Sequence, residues 1–128
     1  MLLAIHNRLV QGYDSGQDSI IYLVSTAQAA ENEGVKFVFT DGHGIMAITD
    51  FFDNLGDLSK IDWDWANTQE DGDRKRRRQA EFLIHSFCPW ELIEAIAVKD
   101  ATTKARVLKL IDGAAHKPDV QVMAGWYY

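Results

Sequence analysis

The chain has 128 residues, 47% of them hydrophobic and 25% charged, with 13 Lys and Arg against 19 Asp and Glu for a formal net charge of −6. This is one domain's worth of ordinary globular composition, and its acidity excludes a protein that coats nucleic acid through a general positive field. No apolar run is long enough to span a membrane, and "MLLAIHNRLV" does not read as a signal peptide; Cys88, the single cysteine, permits neither an internal disulfide nor a thiolate zinc site, so a cytoplasmic, reducing setting is expected.

In chain order, residues 1–9 are helix-like but open without a cap, as though the chain began inside a domain. "SIIYLVS" (residues 19–25) is β-branched and aromatic and predicts a buried strand. "TAQAAENEG" predicts a short helix, with Ser25 or Thr26 as N-cap and Gly34 as its stop. "KFVFTDG" (residues 36–42) predicts a second strand ending in a turn. Ile45, Ile48, Phe52 and Leu55 then recur at helical spacing. Residues 59–73 are acidic, polar and aperiodic, and predict a long loop; such loops are usually functional or disordered.

The next stretch, "RKRRRQAEFLIHSF", joins five cations, Arg74, Lys75, Arg76, Arg77 and Arg78, to a predicted strand over residues 79–87. Period two puts Gln79, Glu81, Leu83 and His85 on one face of it and Ala80, Phe82 and Ile84 on the other. Pro89 opens one helical turn leading into the strand "AIAV". "DATTKARVLKLIDG" predicts a helix capped by Asp100, with Val107, Leu108 and Ile111 as its buried stripe and Gly113 as its end. "DVQVMAGWYY" predicts a final strand. Strands and short helices alternate irregularly, with connections too short for regular βαβ crossovers, which favours an α+β fold.

Glu81 is the residue that asks for an explanation. Pattern alone favours a strand with one solvated face. Against that stand Leu83 on the same face, the long aromatic-bearing loop before it, and adjacent arginines whose forked donors suit phosphate. A carboxylate beside such a clamp suits chemistry on a phosphorylated substrate, where it can hold a hydroxyl or stabilise developing positive charge. Trp63 and Trp65 read either as loop anchors or as platforms for a nucleobase. Asp41 and His43 do not make a metal site by themselves, and no metal is expected. A nuclease using Asp53, Asp57 and Glu81 would need a ligand spacing that these residues do not show. Phosphate-binding P-loops, dinucleotide glycine fingerprints and serine nucleophile elbows are missing.

Taken together, "YLVSTAQA", "FVFTDGHG", "IDWDW", "RKRRRQAEFLIHSFCPWELIEAIAV" and the terminal "WYY" resemble the DarT family of DNA ADP-ribosyltransferase toxins. The resemblance implies an ADP-ribosyltransferase-like split antiparallel β core with short helices. It implies cleavage of NAD+, as co-substrate, at the nicotinamide–ribose bond, with transfer of ADP-ribose to a base of single-stranded DNA, typically thymine. By position it makes Glu81 catalytic and Gln79 part of the cofactor site. Residues 43–81 become the substrate-recognition loop, with His43, Trp63, Trp65 and Arg74 to Arg78 facing DNA. A macrodomain-type antitoxin is the implied protein partner. Since His6 and Arg8 do not match the family's N-terminal NAD-binding motifs, the chain is expected to be a C-terminal part with an N-terminally incomplete core. A non-catalytic remnant that binds single-stranded DNA or the antitoxin is the alternative.

Overall fold

In the computed structural model, residues 5–7, 10–12, 16–61, 63 and 79–128 are described. Residues 1–4 and most of the charge run's surroundings, including Trp65 and Arg74 to Arg78, lie outside them. The chain divides into two compact units, Met1–Ser25 with Pro89–Tyr128, and Thr26–Cys88.

The first unit is built on strands β1 (Tyr22–Val24), β5 (Ala95–Val98) and β6 (Asp119–Val122), in the order β1-β5-β6. β5 is the central strand, and Ile96, Ala97 and Val98 are all buried, as a run of apolar residues covered on both faces requires. Helix α2 (Ala101–Leu110) follows it directly. Its first turn is capped by Asp100, whose carboxylate accepts from the Thr103 amide at 2.7 Å. Ile93, Ile96, Val98, Val107 and Val120 form the core, with Trp90 and Ile111 packed against it. Each fully buried aliphatic side chain of this kind contributes roughly 1.5–3 kcal/mol of burial. The C-terminal aromatics close the unit: Tyr22 meets Trp126 and Tyr127 edge-on, and the Tyr127 hydroxyl lies 3.1 Å from the carbonyls of Ile20 and Ala97.

Four expectations change here. β5 and β6 pair in parallel, with α2 between them, so one βαβ crossover is present and this sheet is not purely antiparallel. On α2 only Val107 is buried, while Leu108 is exposed. The first predicted strand is also shorter, because Gly16–Ser19 forms a 3-10 helix. Likewise the last strand ends at Val122, ahead of a second 3-10 turn, Ala124–Trp126.

The second unit holds helix α1 (Ala27–Asn32) and strands β2 (Phe37–Thr40), β3 (Phe51–Phe52) and β4 (Phe82–Ile84), in the antiparallel order β3-β2-β4. Thr26 caps α1 through its hydroxyl, which accepts from the Ala29 amide, and Gly34 ends it at φ +66°. Phe37, Phe39, Phe52 and Phe82 stack on one side of the sheet. The register pairs Thr40 with Phe51, and the Thr40 amide bonds the Glu81 carbonyl, so these three residues share the opposite side. The helix expected from the spacing of Ile45 to Leu55 does not form. Residues 41–50 are turns and bends, β3 follows, and a 3-10 helix runs over Leu55–Lys60. Ile45 and Ile48 are exposed, so their spacing reflects no buried stripe.

Candidate active site

β2 and the start of β4 place Glu81. Antiparallel pairing carries the chain from Thr40 across to Glu81, and the Thr40 amide donates to the Glu81 carbonyl at 2.9 Å. The Thr40 side chain is buried. Its hydroxyl accepts from the Glu81 amide at 2.9 Å and donates to the Gly42 carbonyl at 2.6 Å. One threonine thereby fixes both the backbone that bears the carboxylate and the turn that faces it.

That turn is "DGHG". Its amides and carbonyls are tied within a closed loop: Asp50 donates its amide to the Asp41 carboxylate at 3.0 Å, and the His43 carbonyl accepts from the Met46 amide and the Thr49 hydroxyl. Gly44 donates its amide to Glu81 Oε2 at 3.0 Å. A Cβ on Gly44 would meet the same oxygen at 3.2 Å and the Phe51 ring at 3.9 Å, so the lack of a side chain permits this close approach. His43 Nδ1 lies 3.4 Å from Glu81 Oε1 and 3.5 Å from Oε2.

The electrostatic outcome is a carboxylate held below its ordinary pKa. The Gly44 amide is the chief cause, partial burial opposes it, and the hydrogen bond and charge of His43 add to the lowering. Glu81 is thus an ionised, partly accessible acceptor at neutral pH, with 38% of its side chain exposed. Such a group can accept a hydrogen bond from a substrate hydroxyl and stabilise a cation forming nearby.

A groove of about 720 Å³ lies along the second unit's sheet, lined by residues 35–38 and 83–86 with Asp53, and Glu81 and His43 are not among its lining residues. Leu83 and His85 follow Glu81 at period two, as the sequence pattern predicts, although the strand itself is confined to Phe82–Ile84.

Of the remaining sequence candidates, Gln79 is exposed in the turn before Glu81. Trp63 is exposed too, with its indole N–H donated to the Leu58 carbonyl. Trp65 and the cations 74–78 lie outside the described residues. For the nuclease reading, no group of three or more His, Cys, Asp or Glu side chains among the described residues can hold a metal ion. Thr40 and Gly44 were not singled out from the sequence. A threonine ending a strand and a glycine in the following turn were visible, but nothing in the sequence marked their long-range partner.

Comparison with known proteins identifies the fold and the family. A curated DNA ADP-ribosyl transferase of Thermus sp. (strain 2.9) is 39% identical over 136 aligned positions, covering 100% of this chain and 63% of the relative. The solved structure of Thermus sp. 2.9 DarT in complex with NAD+ superposes with a TM-score of 0.92 at 36% identity, over 99% of this chain and 66% of that one. The same protein in complex with ADP-ribosylated ssDNA gives a TM-score of 0.92, over 99% of this chain and 63% of that one. The chain therefore spans slightly under two thirds of the length of these relatives. The fold is the α+β fold of the ADP-ribosyltransferases. The family model described as "ssDNA thymidine ADP-ribosyltransferase, DarT" matches residues 1–128, from the first residue onward. That match overturns the expectation of a C-terminal part with an N-terminally incomplete core, and it shows that the chain belongs to the DarT family.

Proposed function

We propose that this chain transfers ADP-ribose from NAD+ to thymidine in single-stranded DNA, with Glu81 as the catalytic carboxylate. The observation that carries the reading is the Glu81 side chain, partly exposed and gripped by the Gly44 amide and His43, which lower its pKa. It is supported by solved relatives in complex with NAD+ and with ADP-ribosylated ssDNA, at 36% identity.

The reaction breaks the bond between nicotinamide and the ribose anomeric carbon, and the bonding pair leaves with nicotinamide. Positive charge develops on the ribose. Glu81 accepts a hydrogen bond from a ribose hydroxyl and stabilises that charge in a site whose donors are already oriented. The acceptor base then forms the new bond to the anomeric carbon and loses a proton to solvent. Gln79, exposed just ahead of Glu81, contacts the same cofactor in this reading, on the family resemblance. Residues 43–81 form the substrate-recognition segment in this reading. Trp63 offers an exposed ring for base stacking, while Trp65 and Arg74 to Arg78 supply a second ring and phosphate contacts on sequence grounds alone.

A macrodomain-type antitoxin is the proposed protein partner, on the family resemblance. Among the described residues no helix is long and apolar enough to cross a membrane. We place the activity in the cytoplasm.

The test is incubation of the chain with NAD+ and a thymidine-containing single-stranded oligonucleotide, read by mass spectrometry. The expected result is an oligonucleotide heavier by one ADP-ribose, with an equal amount of nicotinamide released and no gain for an oligonucleotide lacking thymidine. Salt-sensitive binding of the oligonucleotide without any adduct would instead support a binding remnant.

A further inference from the structure

Sequence resemblance gives His43 a DNA-facing role, whereas its geometry ties it to Glu81. The His43 backbone is held by two bonds to its own carbonyl, from the Met46 amide at 3.0 Å and the buried Thr49 hydroxyl at 2.8 Å. The Asp41–Asp50 contacts close the loop behind it. These bonds fix the backbone that carries both the imidazole and the Gly44 amide to the carboxylate.

The two donors divide the carboxylate unequally. Oε2 receives the Gly44 amide at 3.0 Å and also faces Nδ1 at 3.5 Å, while Oε1 faces Nδ1 alone at 3.4 Å. Among the described residues His43 is the titratable side chain within ion-pair distance of Glu81. A glutamate held only at Oε2 is free to pivot about that one bond. The His43 Nδ1, close to both oxygens at 3.4 and 3.5 Å, favours one orientation of the carboxylate plane and leaves Oε1 as the less occupied acceptor.

We propose that His43 is a positioning residue for Glu81, locking the carboxylate plane so that Oε1 is presented to the ribose hydroxyl. This rests on the function proposed above and assigns His43 a role through Glu81 rather than through DNA. With 39% of the His43 side chain exposed, the contact is partly screened, and the loss on removing it is moderate.

The experiment compares wild type with His43→Ala and His43→Asn by two readouts. The first is titration of the Glu81 carboxyl carbon by NMR on the ligand-free chain. The second is kcat and KM for a thymidine oligonucleotide at saturating NAD+. His43→Ala is expected to move the Glu81 titration up towards the ordinary carboxylate range. It is also expected to lower kcat by about tenfold with oligonucleotide KM within about twofold. His43→Asn, whose amide returns a donor near the Nδ1 position, restores most of both. An unchanged Glu81 titration in His43→Ala overturns the proposal, as does a raised oligonucleotide KM at unchanged kcat. The titration needs no turnover, so it decides the role of His43 even where a lack of transfer counts against the proposed function.

Discussion

Thr40 and Glu81 share two short bonds: the Thr40 amide donates to the Glu81 carbonyl, and the Glu81 amide donates to the Thr40 hydroxyl, each at 2.9 Å, with the hydroxyl a longer 3.4 Å from the same carbonyl. The second bond ends a strand with a side chain where a ladder would use a carbonyl. It leaves the Thr40 hydroxyl proton for the Gly42 carbonyl, and so couples the segment that bears Glu81 to the turn that grips the carboxylate.

Thr40→Val keeps the shape of this buried site and removes its hydroxyl. It leaves the Glu81 amide and the Gly42 carbonyl without their partner, which costs about 1–3 kcal/mol. Denaturant unfolding of the variant is expected to show a lower midpoint at unchanged m-value, with transfer activity reduced in the folded protein. A midpoint equal to wild type contradicts the coupling.

Gly44→Ala inserts a methyl 3.2 Å from Glu81 Oε2. The carboxylate must shift by a few tenths of an ångström, lengthening its bond to the Gly44 amide. Since that amide is the chief cause of the lowered Glu81 pKa, the carboxyl is expected to titrate higher than in wild type, and kcat is expected to fall. NMR titration and steady-state kinetics check the two halves separately.

The pH dependence has a defined sign. Glu81 and Asp100 both have folded-state pKa values below their ordinary ones, Glu81 through Gly44 and Asp100 through the Thr103 amide. Their contribution to stability is fully present above the ordinary carboxylate pKa and is lost as pH falls through the lowered folded-state values. Thermal melts are expected to be flat in this respect at neutral pH and to decline on acidification below about pH 4. Asp100→Asn is expected to reduce the part of that decline due to Asp100.

Ile96→Ala tests the core of the first unit. Ile96 is 1% exposed on the central strand, and truncation there is expected to destabilise by about 2–5 kcal/mol. Leu110, at 82% exposure on α2, is the control, and Leu110→Ala is expected to have little effect. Equal losses from the two would place the core elsewhere.

What the sequence revealed and what it hid follow from the range of the interactions. α2 was legible because the Asp100 cap and the helix are local signals, although it stops at Leu110, ahead of the expected Gly113; Thr26 and Gly34 framed α1 in the same way. Of the period-two face expected for Gln79, Glu81, Leu83 and His85, the pairing with β2 supports Glu81 and Leu83, while Gln79 and His85 fall outside the strand. β3 was not, because two residues carry no pattern of their own; Phe52 is held by pairing and stacking with Phe39, thirteen positions earlier. Ile45 and Ile48 mimicked a helical stripe while standing in solvent. The parallel pairing of β5 with β6 was hidden for a related reason, since register between strands separated by α2 is set by packing. Glu81 stood out as an oddly placed carboxylate, but the Gly44 amide that tunes it is a backbone group and has no sequence signature.

The most direct test compares wild type with Glu81→Gln, incubating each with NAD+ and a thymidine-containing single-stranded oligonucleotide and measuring adduct by mass spectrometry. Wild type is expected to give an ADP-ribosylated oligonucleotide, Glu81→Gln a rate lower by roughly 10²–10³-fold, and both are expected to bind the oligonucleotide equally. Equal adduct from the two proteins, or none from wild type, would contradict the proposed function.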